Sequence, residues 1–244
     1  MRLNQYLAKS GIASRRKAEK IIKDKKVTIN DKYVDKPYHQ VKTTDKVKVN
    51  NEEIKPAKNI YILANKPKGV TTTCSDKFAK TTILDLIPKQ ITGFLKNMDK
   101  KRIYPVGRLD KNSTGLIILT NDGDFCYQIT HPKFEIEKEY LIELSKPITK
   151  TDCYKAKRGV LDEKELLKVK KTEKIKGSLN KKLIRVIVAE GKKRHLRRLF
   201  NKLGYKVSSL KRTRIGNLKL NNLAEGEFKI ILSPEIKKYL NLNG

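Results

Sequence analysis

The chain has 244 residues, room for one sizeable core and a small accessory domain. Its 57 Lys and Arg against 26 Asp and Glu give a formal charge of +31, which calls for a polyanionic partner, nucleic acid first. No stretch approaches the roughly 18–20 uninterrupted apolar residues of a membrane-spanning helix, and Cys74, Cys126 and Cys153 lack the spacing of a disulfide framework or zinc knuckle, so no membrane partner and a cytoplasmic setting are expected.

The chain opens on an amphipathic pattern with no apolar signal segment, so Met1 is expected to begin the folded protein. Leu3, Tyr6 and Leu7 share one helical face, and Ser10-Gly11 stops that helix. Ser14 caps a second helix, in which Ala18, Ile21 and Ile22 form a buried stripe while Arg15, Arg16 and Lys20 face solvent or phosphate. This helix ends near Asp24. The runs VTI and KYV, separated by Asn30-Asp31, predict a tight hairpin, and KVKVN at 46–50 adds a third strand. Such a module presents a charged ridge to folded RNA. The segment RLNQYLAKSGIASRRKAEKIIKDKKVTIN resembles the RNA-binding module first recognised in ribosomal small-subunit protein S-four. The polar, Pro-containing stretch EEIKPAKN at 52–59 marks the boundary: the RNA-binding domain is expected over 1–52, a linker over 53–59 and a second domain over 60–244.

Beyond residue 60, strand-like runs follow at 60–67, 102–107, 116–121, 137–144, 182–191 and 227–232. Several are apolar on both alternations, as strands covered on two faces are. The expected class is α+β: a two-helix plus hairpin domain, then a mixed, mainly antiparallel sheet with flanking helices. Between the second and third runs lies GRLDKNSTG, a polar loop bracketed by Gly107 and Gly115 that displays Asp110. Taken alone, an Asp in such a loop is more often a turn residue or helix cap. Asn121-Asp122-Gly123-Asp124 lacks the further ligands of a calcium loop, and His39, His131 and His195 lack metal-ligand spacing, so no metal is expected. Residues 190–220 concentrate eleven Lys or Arg against one acid, Glu190.

Four segments occur in order: NKPKGVTTT at 65–73, GRLDKNSTGLIILTNDGDF at 107–125, HPKFEIEKEY at 131–140 and EGKKRHLRRLF at 190–200. Together they resemble the RsuA/RluB-type ribosomal RNA pseudouridine synthases. The resemblance implies isomerisation of a uridine in ribosomal RNA, or in a ribosomal assembly intermediate, with large-subunit RNA favoured. The reaction needs neither energy nor redox change, so no cofactor is expected, and a monomer is. By position, the resemblance makes Asp110 the catalytic carboxylate, as nucleophile on ribose carbon 1′ or as a base at the ribose. It makes Tyr140 the stacking tyrosine, Arg197 the cation beside Asp110, and Leu196 the apolar contact to the base. A carboxylate in a dry pocket needs such a cation to stay ionised. Lys66, in the Asn65-Lys66-Pro67 turn, would support the GRLD loop or touch the RNA backbone. Arg108, Lys192, Lys193, Arg194 and Arg198, with Arg15, Arg16 and Lys20 of the module, are expected to bind RNA. His195 stands where the family more often has Gln, a base- or backbone-contacting position.

Overall fold

The computed structural model describes residues 1–73, 81–96, 102–175 and 177–239. Cys74 lies outside them, and Cys153 is a free thiol. Two compact units result: one of Met1–Ile60, Pro88–Tyr104 and Thr120–Gly123, the other of Tyr61–Ile87, Pro105–Leu119 and Asp124–Gly244.

In the first unit, helix α1 (Leu3–Lys9) buries Leu3 and Leu7 and stops at Ser10, before Gly11 at φ +81°. Helix α2 (Arg15–Lys23) starts where the Ser14 hydroxyl accepts the Lys17 N–H, a cap that contributes about 1 kcal/mol. It buries Ala18 and Ile22 and leaves Arg15, Arg16 and Lys20 exposed. Strands β1 (Val27–Ile29) and β2 (Lys32–Tyr33) meet through Asn30 and Asp31, both at positive φ (50° and 63°) as a type I′ turn requires. Strand β3 (Val47–Val49) and β4 (Glu52–Ile54) complete the sheet in the order β2-β1-β3-β4. The fourth strand corrects the expected boundary: residues 53 and 54 are not linker, because Ile54 pairs with Val47, is buried, and its carbonyl accepts the Tyr6 hydroxyl at 3.1 Å. Helix α3 (Lys89–Lys96) also belongs to this unit.

The larger sheet is built from β5 (Tyr61–Lys66), β6 (Tyr104–Pro105), β7 (Thr114–Thr120), β8 (Lys138–Leu144), β11 (Lys171–Lys174), β12 (Leu183–Val188), β13 (Val207–Ile215), β14 (Leu218–Lys219) and β15 (Phe228–Ile231). Its order is β11-β12-β8-β13-β7-β5-β15, with β14 beside β13 and β6 beside β7. Strands β9 (Val160–Asp162) and β10 (Glu165–Leu167) form a separate hairpin. The β7–β13 pair is parallel and the neighbouring β8–β13, β8–β12 and β5–β15 pairs are antiparallel, the mixed sheet that was expected.

Two cores fix the helices on this sheet. Phe125 and Ile129 of α4 (Gly123–Thr130) and Ile236 of α7 (Ser233–Tyr239) pack with Tyr61, Leu63, Leu116 and Ile118. Ala156 of α5 (Lys150–Arg158) and Leu196, Leu199 and Phe200 of α6 (His195–Lys202) pack with Ile142, Leu144, Ile184 and Val186. That second contact seats the basic helix against the sheet. Among the described residues, no helix is long and apolar enough to cross a membrane.

Candidate active site

Asp110 lies between two residues whose backbones are pinned. The Thr72 hydroxyl donates to the Leu109 carbonyl (2.8 Å) and accepts the Leu109 N–H (3.2 Å). On the other side, the Lys111 carbonyl accepts the Gly69 N–H (2.8 Å) and the Lys66 ammonium (3.3 Å). The Ser113 N–H then closes a turn onto the Asp110 carbonyl at 2.9 Å. The 65–73 segment therefore grips the loop that carries the carboxylate, and Leu109, buried beneath it, anchors the loop.

Lys66 makes this grip possible. It is fully buried, and its ammonium donates to the carbonyls of Pro67 and Val70, each at 2.8 Å, as well as to Lys111. Of its two expected roles, support of the loop is the one formed; a side chain with no exposed surface cannot touch an RNA backbone. Burial pushes its pKa down to about 8, against the opposing pull of Glu225 and Asp110.

Tyr140 comes from β8, paired across to Val186 on one side and Arg212 on the other. Alternate residues of a strand share a face, so Tyr140 points with Ile142 and Leu144. Those two are buried in the core, while Tyr140 packs at its edge and opens onto the cleft. Helix α6 supplies the third wall through Leu196 and Arg197. Its start is marked by Arg194, a non-glycine residue in the left-handed conformation at φ +51°. Residues 110, 140, 196 and 197 thus meet in one open cleft. Arg108, Lys192 and Arg194 line it as well.

Arg197 departs from expectation in its bonding. Its guanidinium donates to the carbonyls of Val207 (3.1 Å) and Asn112 (3.0 Å), and no ion pair within 4 Å joins it to Asp110 among the described residues. The fork is taken up by backbone oxygens, while the aspartate acts through its field: burial lowers the Arg197 pKa and Asp110 opposes the shift. The Asn112 bond also makes Arg197 a further tether of the Asp110 loop.

The basic run divides in a way its composition conceals. Arg198 holds Asp162 and Glu165, each at 2.5 Å, and Lys192 donates to the Leu166 carbonyl at 2.7 Å, so neither is the free phosphate ligand expected. Lys193 and Arg194 remain exposed, as does Arg108 on the loop. The His195 Nε2 lies 3.0 Å from the protein's own Lys168 carbonyl, a contact within the fold. Burial lowers its pKa, so the ring is neutral, protonated on Nε2 to donate to that oxygen, and its Nδ1 is left without a protein partner.

Ser113, absent from the sequence-derived set, faces the same cleft. It is 1% exposed and its hydroxyl has no partner in the protein. Asn121, by contrast, is spent on structure: its side chain accepts the Ile60 N–H and donates to the Lys58 carbonyl. Among the described residues, no group of three or more His, Cys, Asp or Glu is arranged to hold a metal ion.

The RNA pseudouridylate synthase family model matches residues 60–202, and the S4 domain model matches residues 1–47. The ribosomal large subunit pseudouridine synthase B of Bacillus subtilis (strain 168) is 35% identical, covering 97% of this chain and 94% of its own. The dual-specificity RNA pseudouridine synthase RluF of Escherichia coli (strain K12) is 36% identical, covering 97% of this chain and 77% of its own. A crystal structure of a pseudouridylate synthase superposes with a TM-score of 0.66 at 30% identity, covering 98% of this chain and 99% of that one.

Proposed function

The chain belongs to the RNA pseudouridylate synthase family, and from that membership we infer that it converts uridine to pseudouridine at chosen sites of ribosomal RNA, with large-subunit RNA favoured. The observation that carries this reading is the convergence of Asp110, Tyr140, Leu196 and Arg197 on one cleft. The substrate nucleotide leaves its stack, and its uracil enters against Leu196 and the Tyr140 ring, a stacking contact of about 1–3 kcal/mol. The Asp110 carboxylate acts at the ribose. The bond from carbon 1′ to N1 breaks, the uracil turns within the cleft, and carbon 5 bonds to carbon 1′. The proton leaves carbon 5 and N1 is protonated, so atoms and electrons balance without an external reactant. Exposed Arg108, Lys193 and Arg194 are suited to the flanking phosphates. We further propose that it works in the cytoplasm as a monomer.

The test is direct. Purified protein is incubated with large- and small-subunit ribosomal RNA transcripts and with assembly intermediates, and pseudouridine is mapped at each position. New pseudouridine at defined sites supports the reading; binding without any isomerisation at substoichiometric or equal protein would reduce the chain to an RNA-binding factor.

The N-terminal module gives a second expectation. Its last strand ends at Ile54, while the Lys58 and Ile60 backbones bond to Asn121, so the cut belongs between residues 54 and 58. Deleting residues 1–56 should leave a folded catalytic domain with weaker RNA affinity and relaxed site choice. Each lost phosphate contact, with Arg15, Arg16 and Lys20 as candidates, should flatten the slope of log affinity against log salt by roughly 0.7–0.9. An unchanged slope would remove the module from RNA binding.

A further inference from the structure

Arg198 and Arg197 are neighbours in a basic run, yet their side chains meet different partners. Arg197 lines the cleft. The Arg198 Nε donates to an Asp162 carboxylate oxygen and its Nη1 to a Glu165 oxygen, each at 2.5 Å, and Nη2 reaches the Asp162 carbonyl at 3.4 Å. Asp162 ends β9 and Glu165 begins β10, so one guanidinium spans the two strands of the hairpin at its turn. Lys202 adds a contact to Asp162 at 3.3 Å.

Two more links join the same partners. The His195 Nε2 meets the Lys168 carbonyl, and the Lys192 ammonium donates to the Leu166 carbonyl. His195, Arg198 and Lys202 lie at i, i+3 and i+7, one stripe along the helix. That stripe meets the hairpin, and its first member, His195, also lines the cleft beside Leu196 and Arg197. The hairpin stands apart from the main sheet and is held by these polar links to the helix as well as by Leu167 in the core. Two acids placed under two cations, in a chain where bases outnumber acids by more than two to one, are a local complement to α6.

We propose that Arg198 is a positioning residue: by clamping the β9–β10 hairpin to α6 through Asp162 and Glu165, it fixes the helix so that Leu196 and Arg197 stand correctly in the cleft. It does not bind RNA. The inference rests on the uridine-isomerising reading for its kinetic consequence, though the clamp itself does not.

The test compares Arg198→Ala, Arg198→Lys and the double variant Asp162→Asn with Glu165→Gln, in the full chain. Single-turnover rate at saturating ribosomal RNA, RNA affinity against salt, thermal melting and amide hydrogen exchange of α6 are measured for each. Arg198→Ala should lower the saturated rate roughly tenfold to a hundredfold, as small misplacements of a reacting group do, and speed exchange in α6, with affinity and salt slope unchanged. Arg198→Lys should recover part of the rate, because an ammonium can still meet Asp162. The acid double variant should lose rate as Arg198→Ala does, and adding Arg198→Ala to it should cost little more. Melting curves assign any loss to the folded enzyme.

A phosphate contact would behave in the opposite way. Arg198→Ala would then weaken affinity and reduce the salt slope by roughly 0.7–0.9, with the saturated rate intact, and removing the acids would leave rate and affinity whole. Either result overturns the proposal. If the wild-type chain isomerises no uridine at all, the proposed reaction fails, and exchange in α6 decides the clamp: unaltered protection in Arg198→Ala and in the acid double variant would sink it.

Discussion

Asp110→Asn should reduce uridine isomerisation by roughly three orders of magnitude or more while RNA affinity stays within a few fold. The amide is nearly the same size as the carboxylate, and the loop is held by contacts that do not involve the Asp110 side chain. Thr72 pins Leu109, Lys66 and Gly69 pin Lys111, and Arg197 pins Asn112. The substituted side chain therefore stays in the cleft and only its chemistry changes. An amide is neither a competent nucleophile on carbon 1′ nor a base at the ribose, so either role of the carboxylate is lost. Single-turnover assays at saturating RNA, paired with binding isotherms, separate rate from affinity. Turnover by the Asn variant at the wild-type rate would remove Asp110 from the chemistry and leave the cleft without its central group.

What could be read in advance follows from where the signal is local. The N-terminal module was legible almost element by element, because caps, a two-residue turn and a 3.6-residue apolar stripe each depend on neighbours a few positions away. Ser14, Asn30-Asp31 and the Ala18/Ile22 stripe all occupy the places their chemistry suggests. The missed strand β4 has the sequence Glu52-Glu53-Ile54, in which a single apolar residue carries the burial. Two exposed acids look like linker until β3 is there to pair with.

The central strand β13 was illegible for a different reason. Its pairing with β8 shifts register between Val207 and Ser209 and again between Arg212 and Arg214. Each irregularity breaks the alternation by which a strand is recognised. The strand also carries Lys211, Arg212 and Arg214, which merged into the basic concentration over 190–220. Several of those cations are internal wiring: Arg212 is buried and donates to the Leu116 carbonyl, Arg214 meets Glu137 and Glu139, and Arg198 and Lys202 meet Asp162. Charge density along a sequence thus pointed to a segment that lines the cleft and misjudged what many of its charges do. The motif positions fared better, since Asp110, Tyr140, Leu196 and Arg197 do share a cleft. Their bonding was beyond reach, because the partners of Arg197 are carbonyls, which leave no mark in a sequence.

Gly115→Ala should be the most damaging of the glycine substitutions near the site, and the reason is the parallel pairing of β7 with β13. Gly115 stands opposite Arg212 at φ +103°, and a Cβ there would run into the backbone N, C and O of Arg212. Backbone in the middle of a sheet cannot swing aside as a side chain can, so the two strands must part. Parting also strains the Arg212 Nε bond to the Leu116 carbonyl, 2.7 Å long and buried, which ties the same strands one residue further on. The expected cost is about 3 kcal/mol or more, and for a chain of this size each kcal/mol lowers Tm by roughly 2–4 °C, which predicts a fall of about 6–12 °C. Gly69→Ala is the control. Gly69 has a comparable φ of +87° but nothing within 4 Å of its Cβ position, so it bears only the intrinsic cost of a left-handed alanine, about 1–2 kcal/mol. Because β7 begins four residues after Asp110, Gly115→Ala should also displace the carboxylate and suppress turnover below the melting transition. Thermal melts and saturated rates of the two variants, measured side by side, decide the matter: equal melting temperatures would mean that β7 and β13 separate at little cost and that this pairing does not hold the catalytic loop in place.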